Sequence, residues 1–331
     1  MKMTTIKEIL SDTSVPSLVS ESTTETNRNS TTNPLSIIWE IIIFYVLSTW
    51  YIIEAIYRLF VPVTEKSVKG EIVLITGTGH GIGRQLAFQY ASQGAIVVCW
   101  DINEKTNQDT VKIIQEFGHT KAYAYVCDVS KRENVMEVAR KVQAEVGDVT
   151  ILINNAGIMP SHPFLDHTTE EIESIININV MAHFWTLQAF LPKMIEKNHG
   201  HIVSLSSCAG LIGLRNLVAY CASKHAVRGM MDALNRDLRV NPKNRIKITI
   251  IYPYMVDTGL CIRPQIRFPS LMPMQKEEEV AQQIISAQRR DVFEVSIPRH
   301  YLSFFYYLKL HPDKIGNLMN DILQSYTDSD L

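Results

Sequence analysis

The chain has 331 residues, 46% of them hydrophobic and 20% charged, with a formal net charge of -2. That is material for one large domain or two small ones around a buried core, and with no basic block, zinc-finger spacing or RNA-binding signature it argues against a nucleic-acid partner. Five scattered cysteines (Cys99, Cys127, Cys208, Cys221, Cys261) without a Cys-x-x-Cys suit a reducing compartment and speak against a disulfide framework or structural zinc.

Residues 1–34 are a different material from the rest. From Ser11 to Pro34 half the positions are Ser or Thr, too few apolar groups to offset the entropy of ordering, so a disordered tail is expected. Its Asn29-Ser30-Thr31 is a glycosylation sequon that matters only if the tail is lumenal. Residues 35–62 then read as a hydrophobic membrane anchor. The uncharged run Ile41 to Ile53 spans about 20 Å as a helix, short of a hydrocarbon core of about 30 Å. Extended over Ile37 to Val61 it includes Glu40, Glu54 and Arg58, which fall nearly on one line with Tyr51, and Glu54 and Arg58 can pair. A spanning helix, an in-plane anchor and a buried helix of a soluble domain are the alternatives. A cleaved signal peptide is not expected, because the run starts late and lacks a basic lead and a small-residue cleavage site.

Residues 66–295 carry the pattern of a nucleotide-binding domain. Ile72 to Ile75 has the length and branching of a fully buried parallel strand. Thr76-Gly77-x-x-x-Gly81-Ile82-Gly83 follows at once, then a helical pattern through Leu86 and Ala91. Such a glycine turn lets backbone approach a diphosphate, and the helix start offers it unpaired N–H groups. The next strand, Ala95 to Trp100, ends at Asp101, 18 residues past Gly83. A carboxylate there can accept from both ribose hydroxyls and repel a 2'-phosphate, which predicts NAD rather than NADP. Its blander reading is a strand-end cap, and His80 within the turn could blunt the preference.

Alternation continues with a helix near Gln108 to Phe117, a strand Ala122 to Cys127 ending at Asp128-Val129, and a helix Arg132 to Val146 before "VTILINNAGIM". This is the pattern of an α/β, Rossmann-type doubly wound parallel sheet. Ligands of such sheets sit at the carboxyl strand ends. Asp128 and Val129, Asn155-Ala156-Gly157, and Pro253, Val256 and Thr258 all fall at that edge.

Tyr220 and Lys224 lie four apart, on one face of a helix. Ser207 precedes Tyr220 by 13 residues and Asn179 precedes Ser207 by 28. With the glycine turn and Asn154-Asn155-Ala156-Gly157, this order and spacing resembles the short-chain dehydrogenase/reductase family over about Gly70 to Arg290. The segments "GEIVLITG", "WDIN", "VGDVTILINNAGI", "AHFWTLQAFLPKM" and "HGHIVSLSSCAG" are further similar to its membrane-associated group of epidermal-type retinol dehydrogenases and lipid-droplet 17-beta-hydroxysteroid dehydrogenases. Pro253-Tyr254 departs from the family's frequent Pro-Gly.

The resemblance implies hydride transfer between a lipophilic alcohol or carbonyl (retinol-, steroid- or fatty-alcohol-like) and a nicotinamide cofactor, in a homodimer. Tyr220 is expected as general base and acid, with Lys224 and the positive nicotinamide ring lowering its pKa from about 10 toward 7 and Lys224 holding the nicotinamide ribose. Ser207 is expected at the substrate oxygen, with Ser206 its rival, and Asn179 beside a water leading from Lys224. The cofactor-binding set is then Thr76, Gly77, Gly81, Ile82, Gly83, Asp101, Asp128, Val129, Asn155, Ala156, Gly157, Tyr220, Lys224, Pro253, Val256 and Thr258. His199, His201 and His225 form no metal-ligand pattern, and no metal is expected. A helix near Lys276 to Arg289 follows a proline-rich substrate-side loop. Residues 296–331, with "RHYLSFFYYLKL", suggest either helix core or a membrane-facing rim. Arg58, Lys66 and Lys69 follow the anchor while only Arg28 lies near it on the other side, which places the catalytic domain in the cytosol, on endoplasmic reticulum or lipid droplets. The alternative function is a catalytically weak membrane or lipid-droplet protein that keeps the nucleotide-binding fold as a scaffold.

Overall fold

The apolar runs Ile72–Thr76 (β1) and Ile151–Asn154 (β4) lie side by side, Val73 against Ile151 and Ile75 against Ile153, at the centre of a parallel sheet. The structure is a computed structural model that describes residues 34–61, 63–118, 121–323 and 326–330. The tail expected to be disordered, and its Asn29 sequon, lie outside these residues apart from Pro34.

Two units are present, with the boundary between Val63 and Thr64. In the first, Pro34–Phe60 (α1) is one helix of 27 residues, about 40 Å long at 1.5 Å per residue. Its stretch Pro34–Arg58 has mean hydropathy 1.8 and buries nothing, so it is long and apolar enough to cross a membrane. Glu54 and Arg58 pair along it at 2.5 Å.

In the second unit seven parallel strands run in the order β3-β2-β1-β4-β5-β6-β7. The remaining five are Ile96–Asp101 (β2), Ala122–Val126 (β3), His201–Leu205 (β5), Lys247–Pro253 (β6) and Glu294–Ile297 (β7). The order reverses between β1 and β4, which opens a crevice at their carboxyl ends. Helices cover both faces because the central strands are apolar on both sides. One core gathers Leu74, Trp100, Leu152 and Phe190, the other Ile75, Leu86, Tyr90 and Ile153.

Gly81–Ser92 (α2) follows β1, and Glu104–Glu116 (α3) follows β2, capped by Asn103 accepting from the Thr106 N–H at 3.2 Å. Arg132–Glu145 (α4) leads into β4. Thr169–Ile176 (α5) starts with a reciprocal capping box between Thr168 and Glu171, runs into a π-helical turn at Asn177–Met181, and continues as Ala182–Lys197 (α6). Val218–Arg239 (α7) carries the Tyr-x-x-x-Lys pair, and Glu277–Arg289 (α8) opens on three glutamates and ends on arginine, as its dipole favours.

β7 crosses residue 295 and pairs with β6, so the segment from 296 begins inside the sheet rather than after it. His300–Lys309 (α9) turns Tyr301 and Phe305 into the core and leaves Tyr307 exposed. One face of the aromatic segment is therefore helix core. Asp313–Leu323 (α10) follows, and Tyr326–Thr327 pairs antiparallel with Pro264–Gln265.

Candidate active site

The turn after β1 has no room for side chains at its closest contacts. A Cβ on Gly83 would run into the Gly77 carbonyl oxygen, so only glycine lets α2 start this close to the strand. Gly81 has φ of +59°, the left-handed region glycine favours, and a Cβ there would come within 3.0 Å of Thr258. The turn is stapled to the one after β4. Thr76 Oγ1 accepts the N–H groups of Asn155 and Ala156, both at 3.0 Å, and Asn155 Nδ2 donates to the Thr76 and Gly77 carbonyls at 2.8 and 3.1 Å. The Asn155 amide thus holds the turn, leaving its backbone to line the crevice.

Asp101 caps the end of its strand. Its Oδ2 accepts the Gly79 N–H and its Oδ1 the Asn103 N–H, each at 2.8 Å, and the half-buried carboxylate still borders the crevice with free lone pairs. At the end of β3, burial raises the Asp128 pKa, but hydrogen bonds from Ser130 and Lys131 outweigh that and hold it below the usual carboxylate range.

One crevice of about 1010 Å³ joins Gly77, Gly81, Ile82, Asp101, Asp128, Val129 and the Asn155-Ala156-Gly157 turn to Ser207, Tyr220, Lys224, Pro253, Val256 and Thr258. Thr76 and Gly83 support its wall from behind. A glycine cradle at a helix N-terminus, a carboxylate at the second strand end and an elongated crevice fit a dinucleotide. Leu214, Leu217, Met255, Met272 and Phe305 add apolar surface to the same crevice.

The two serines are held differently. Ser206 is buried and donates to the Lys224 carbonyl at 2.8 Å, whereas Ser207 Oγ, beside Tyr220, donates to the Pro253 carbonyl at 3.4 Å and accepts the Ala209 N–H at 3.1 Å. Lys224 is 4% exposed, donates from Nζ to the Leu205 carbonyl at 2.9 Å, and lies 5.6 Å from the centroid of the Tyr220 ring. Burial lowers its pKa from 10.5 to about 8. The same burial pushes the Tyr220 phenol above its ordinary value, and Ser207 beside it only partly counters this. Taking the phenol out of water disfavours phenolate in the cofactor-free chain.

Asn179 sits in the π-helical turn, a distortion frequent at functional sites. Its Oδ1 accepts the Ile158 N–H at 2.9 Å, and its Nδ2 donates to the Ile158 carbonyl at 2.9 Å and to Ser223 Oγ at 3.1 Å. The side chain therefore braces the loop after Gly157. A Cβ on Gly157 would lie 3.2 Å from Asn179 Oδ1 and 3.5 Å from Lys224 Nζ, so both polar heads converge there.

Sequence reasoning missed several residues. Asn317, Leu323 and Tyr326 border the crevice from the C-terminal segment, which carries no motif. His183, fully buried, has both ring nitrogens without a hydrogen bond, and burial and then Lys224 depress its pKa to about 3. It follows Asn179 by one helical turn, a spacing that could have flagged it.

Residues 71–264 match the sequence model of the short chain dehydrogenase family. The chain is 45% identical over 250 residues to the bovine (Bos taurus) protein named short-chain dehydrogenase/reductase family 16C member 6, covering 76% of this chain and 79% of that protein. It is 41% identical over 285 residues to human (Homo sapiens) epidermal retinol dehydrogenase 2 (86% and 92% covered) and 37% over 286 residues to human 17-beta-hydroxysteroid dehydrogenase 13 (86% and 94%). Among solved structures, a Burkholderia phymatum short chain dehydrogenase/reductase in complex with NAD superposes with a TM-score of 0.67 at 24% identity, covering 80% of this chain and 99% of that one. A putative NAD(P) dependent gluconate 5-dehydrogenase from Beutenbergia cavernae, with bound NADP, gives 0.62 at 25% identity, covering 72% and 98%.

Proposed function

The chain belongs to the short-chain dehydrogenase family, and from that premise we propose that it oxidises or forms a lipophilic alcohol, retinol-, steroid- or fatty-alcohol-like, with NAD as hydride partner. The observation that carries this is buried Lys224 beside the Tyr220 ring, in one crevice with Ser207, the glycine turn and a set of apolar side chains. Relatives named for retinol and 17-beta-hydroxysteroid support an oily substrate.

Bound nicotinamide supplies the hydride acceptor, and its oxidised ring adds a positive charge beside Tyr220. In the alcohol-oxidising direction that charge and the Lys224 ammonium would favour the Tyr220 phenolate, whose Oη takes the hydroxyl proton as the carbinol C–H bond breaks. Ser207 Oγ steadies the substrate oxygen. Lys224 keeps a cation under the phenol and reaches the nicotinamide ribose, while Asn179 positions the Ile158 turn. The Asp101 carboxylate is suited to ribose hydroxyls and repels a 2'-phosphate, which favours NAD. The helix Pro34–Phe60 holds the enzyme on endoplasmic reticulum or lipid droplets with its catalytic unit toward the cytosol. Glu40 and Glu54 favour an in-plane seat, since carboxylates in hydrocarbon are costly.

The test is purified full-length protein in detergent or lipid, offered retinol, estradiol and long-chain alcohols while NADH formation is followed. Turnover of at least one is expected, lost in Tyr220→Phe with NADH affinity nearly unchanged. Substantial turnover in that variant would remove Tyr220 from the role.

A further inference from the structure

On the chain after β4, two histidines and a glutamate meet with no part in the chemistry above. His162 and His167 lie in the loop before α5, and Glu171 is in its first turn. Their ligand atoms all fall within 4.8 Å of one another. His162 Nε2 is 3.3 Å from Glu171 Oε1, and His167 Nδ1 is 3.5 Å from Glu171 Oε2. The rings lie 4.9 Å apart between centroids, tilted by 53°.

The His167 side chain is only 1% exposed, yet neither of its ring nitrogens makes a hydrogen bond. An imidazole placed in that way leaves at least one donor and one acceptor without a hydrogen bond in a buried position. Native structures rarely tolerate this without an ion or a water. His162 has the complementary arrangement: Nδ1 is 3.4 Å from Ser329 Oγ, so it can donate outward and turn the Nε2 lone pair inward. Glu171 is held as well, its Oε2 accepting the Thr168 N–H at 3.0 Å. Such outer partners are what fix the tautomer and aim of metal ligands.

We propose that His162, His167 and Glu171 form a binding site for a divalent transition metal, with zinc the ion the donor set suits best. Two imidazoles and a carboxylate are a common set for zinc, with a fourth position left to water. Metal–ligand bonds of about 2.0–2.2 Å place tetrahedral ligand atoms about 3.3–3.6 Å apart, which is the span of the two N···O pairs here. An entry path exists, because Glu171 is 33% exposed and shares a shallow depression with His162, Gly157 and Thr258. The ion would tie the loop leading from Gly157 to the start of α5 and, through Ser329, to the C-terminal segment. The histidines named in the sequence analysis, His199, His201 and His225, are not involved.

The test uses full-length protein stripped with a chelator and titrated with zinc chloride by calorimetry. One zinc per chain with a Kd of about 1 µM or tighter is expected, together with a zinc-dependent rise in Tm. Glu171→Gln keeps an acceptor for Thr168, and His167→Phe keeps a ring against His162 while removing two unpartnered nitrogens. Each should weaken zinc binding by about 100-fold or more and abolish the Tm rise, with NADH binding preserved as the control for folding. Cobalt loaded in place of zinc should give the strong visible bands of a four-coordinate ion, a readout that needs no variant. The proposal is overturned by a wild-type chain that binds no zinc below about 1 mM, by the weak spectrum of hydrated cobalt, or by folded variants that bind as the wild type does.

Discussion

Lys224 allows the burial of the active-site pair to be measured rather than inferred. Its ammonium is 4% exposed, and its pKa falls from 10.5 to about 8. At 1.36 kcal/mol per pH unit, holding that charge in the fold at pH 7 costs about 3 kcal/mol. The folded pKa lies below the unfolded one, so the unfolded chain carries more protons between pH 8 and pH 10.5. Stability from this group therefore rises with pH across that window, and the cost is absent above it. Lys224→Met keeps most of the stem and removes the charge. Its loss of the Leu205 hydrogen bond is an offset of about 1 kcal/mol that does not change while the lysine titrates. Urea denaturation of the cofactor-free wild type and variant in parallel should show the variant's relative stability falling by about 2 kcal/mol between pH 7 and pH 9.5, as the wild type gains. Other titrations cancel in the difference. A difference flat with pH would mean the ammonium is solvated in the native state, and the account of the Tyr220–Lys224 pair would fail with it.

Gly83→Ala forces a methyl group into the Gly77 carbonyl and against Asn155 Nδ2, so NADH affinity measured by fluorescence titration should drop by about 10-fold or more, with about 1–3 kcal/mol of stability lost; an unchanged Kd would contradict the turn geometry. Asp101→Asn removes the charge while keeping an acceptor for the turn. The ratio of kcat/KM for NAD to that for NADP should fall by about 10-fold, and an unaltered ratio would shift attention to His80. Deleting residues 35–62 should move the protein from the membrane to the soluble fraction with turnover of a detergent-dispersed substrate retained. Continued sedimentation with membranes would point to the aromatic face of α9, where Tyr307 is exposed.

The sheet and its ligand edge were legible because buried parallel strands are written as apolar runs: Ile72 to Ile75 and Ile151 to Asn154 could hardly be anything else. The glycine turn was legible for the same reason, since Gly83 is demanded by a backbone collision rather than by chemistry. Other features have no local signature. β7 is four residues beside Arg289, Arg290 and Asp291, and its apolar content is too small to stand out. The meeting of His162, His167 and Glu171 depends on the path of a loop, which no periodicity describes. The raised Tyr220 pKa of the cofactor-free chain had no signature in the sequence, because spacing on a helix reveals the neighbouring charge, while the depth of burial belongs to the assembled fold.

The π-helical turn at Asn177–Met181 makes the site sensitive to length as well as to identity. Such a turn holds one residue more than the α-helical ladder needs, so removing a single residue there would let α5 and α6 anneal into a regular helix. The domain should still fold. The flanking helices would keep their phase, while the residues of the turn itself would be redistributed around a regular helix, carrying Asn179 off Ile158 and Ser223. A scan that replaces side chains one at a time never changes length and would pass over this vulnerability. A one-residue deletion is the smallest lesion that could separate the fold from its chemistry, and natural relatives of different length in this segment are where divergent activities should first be sought.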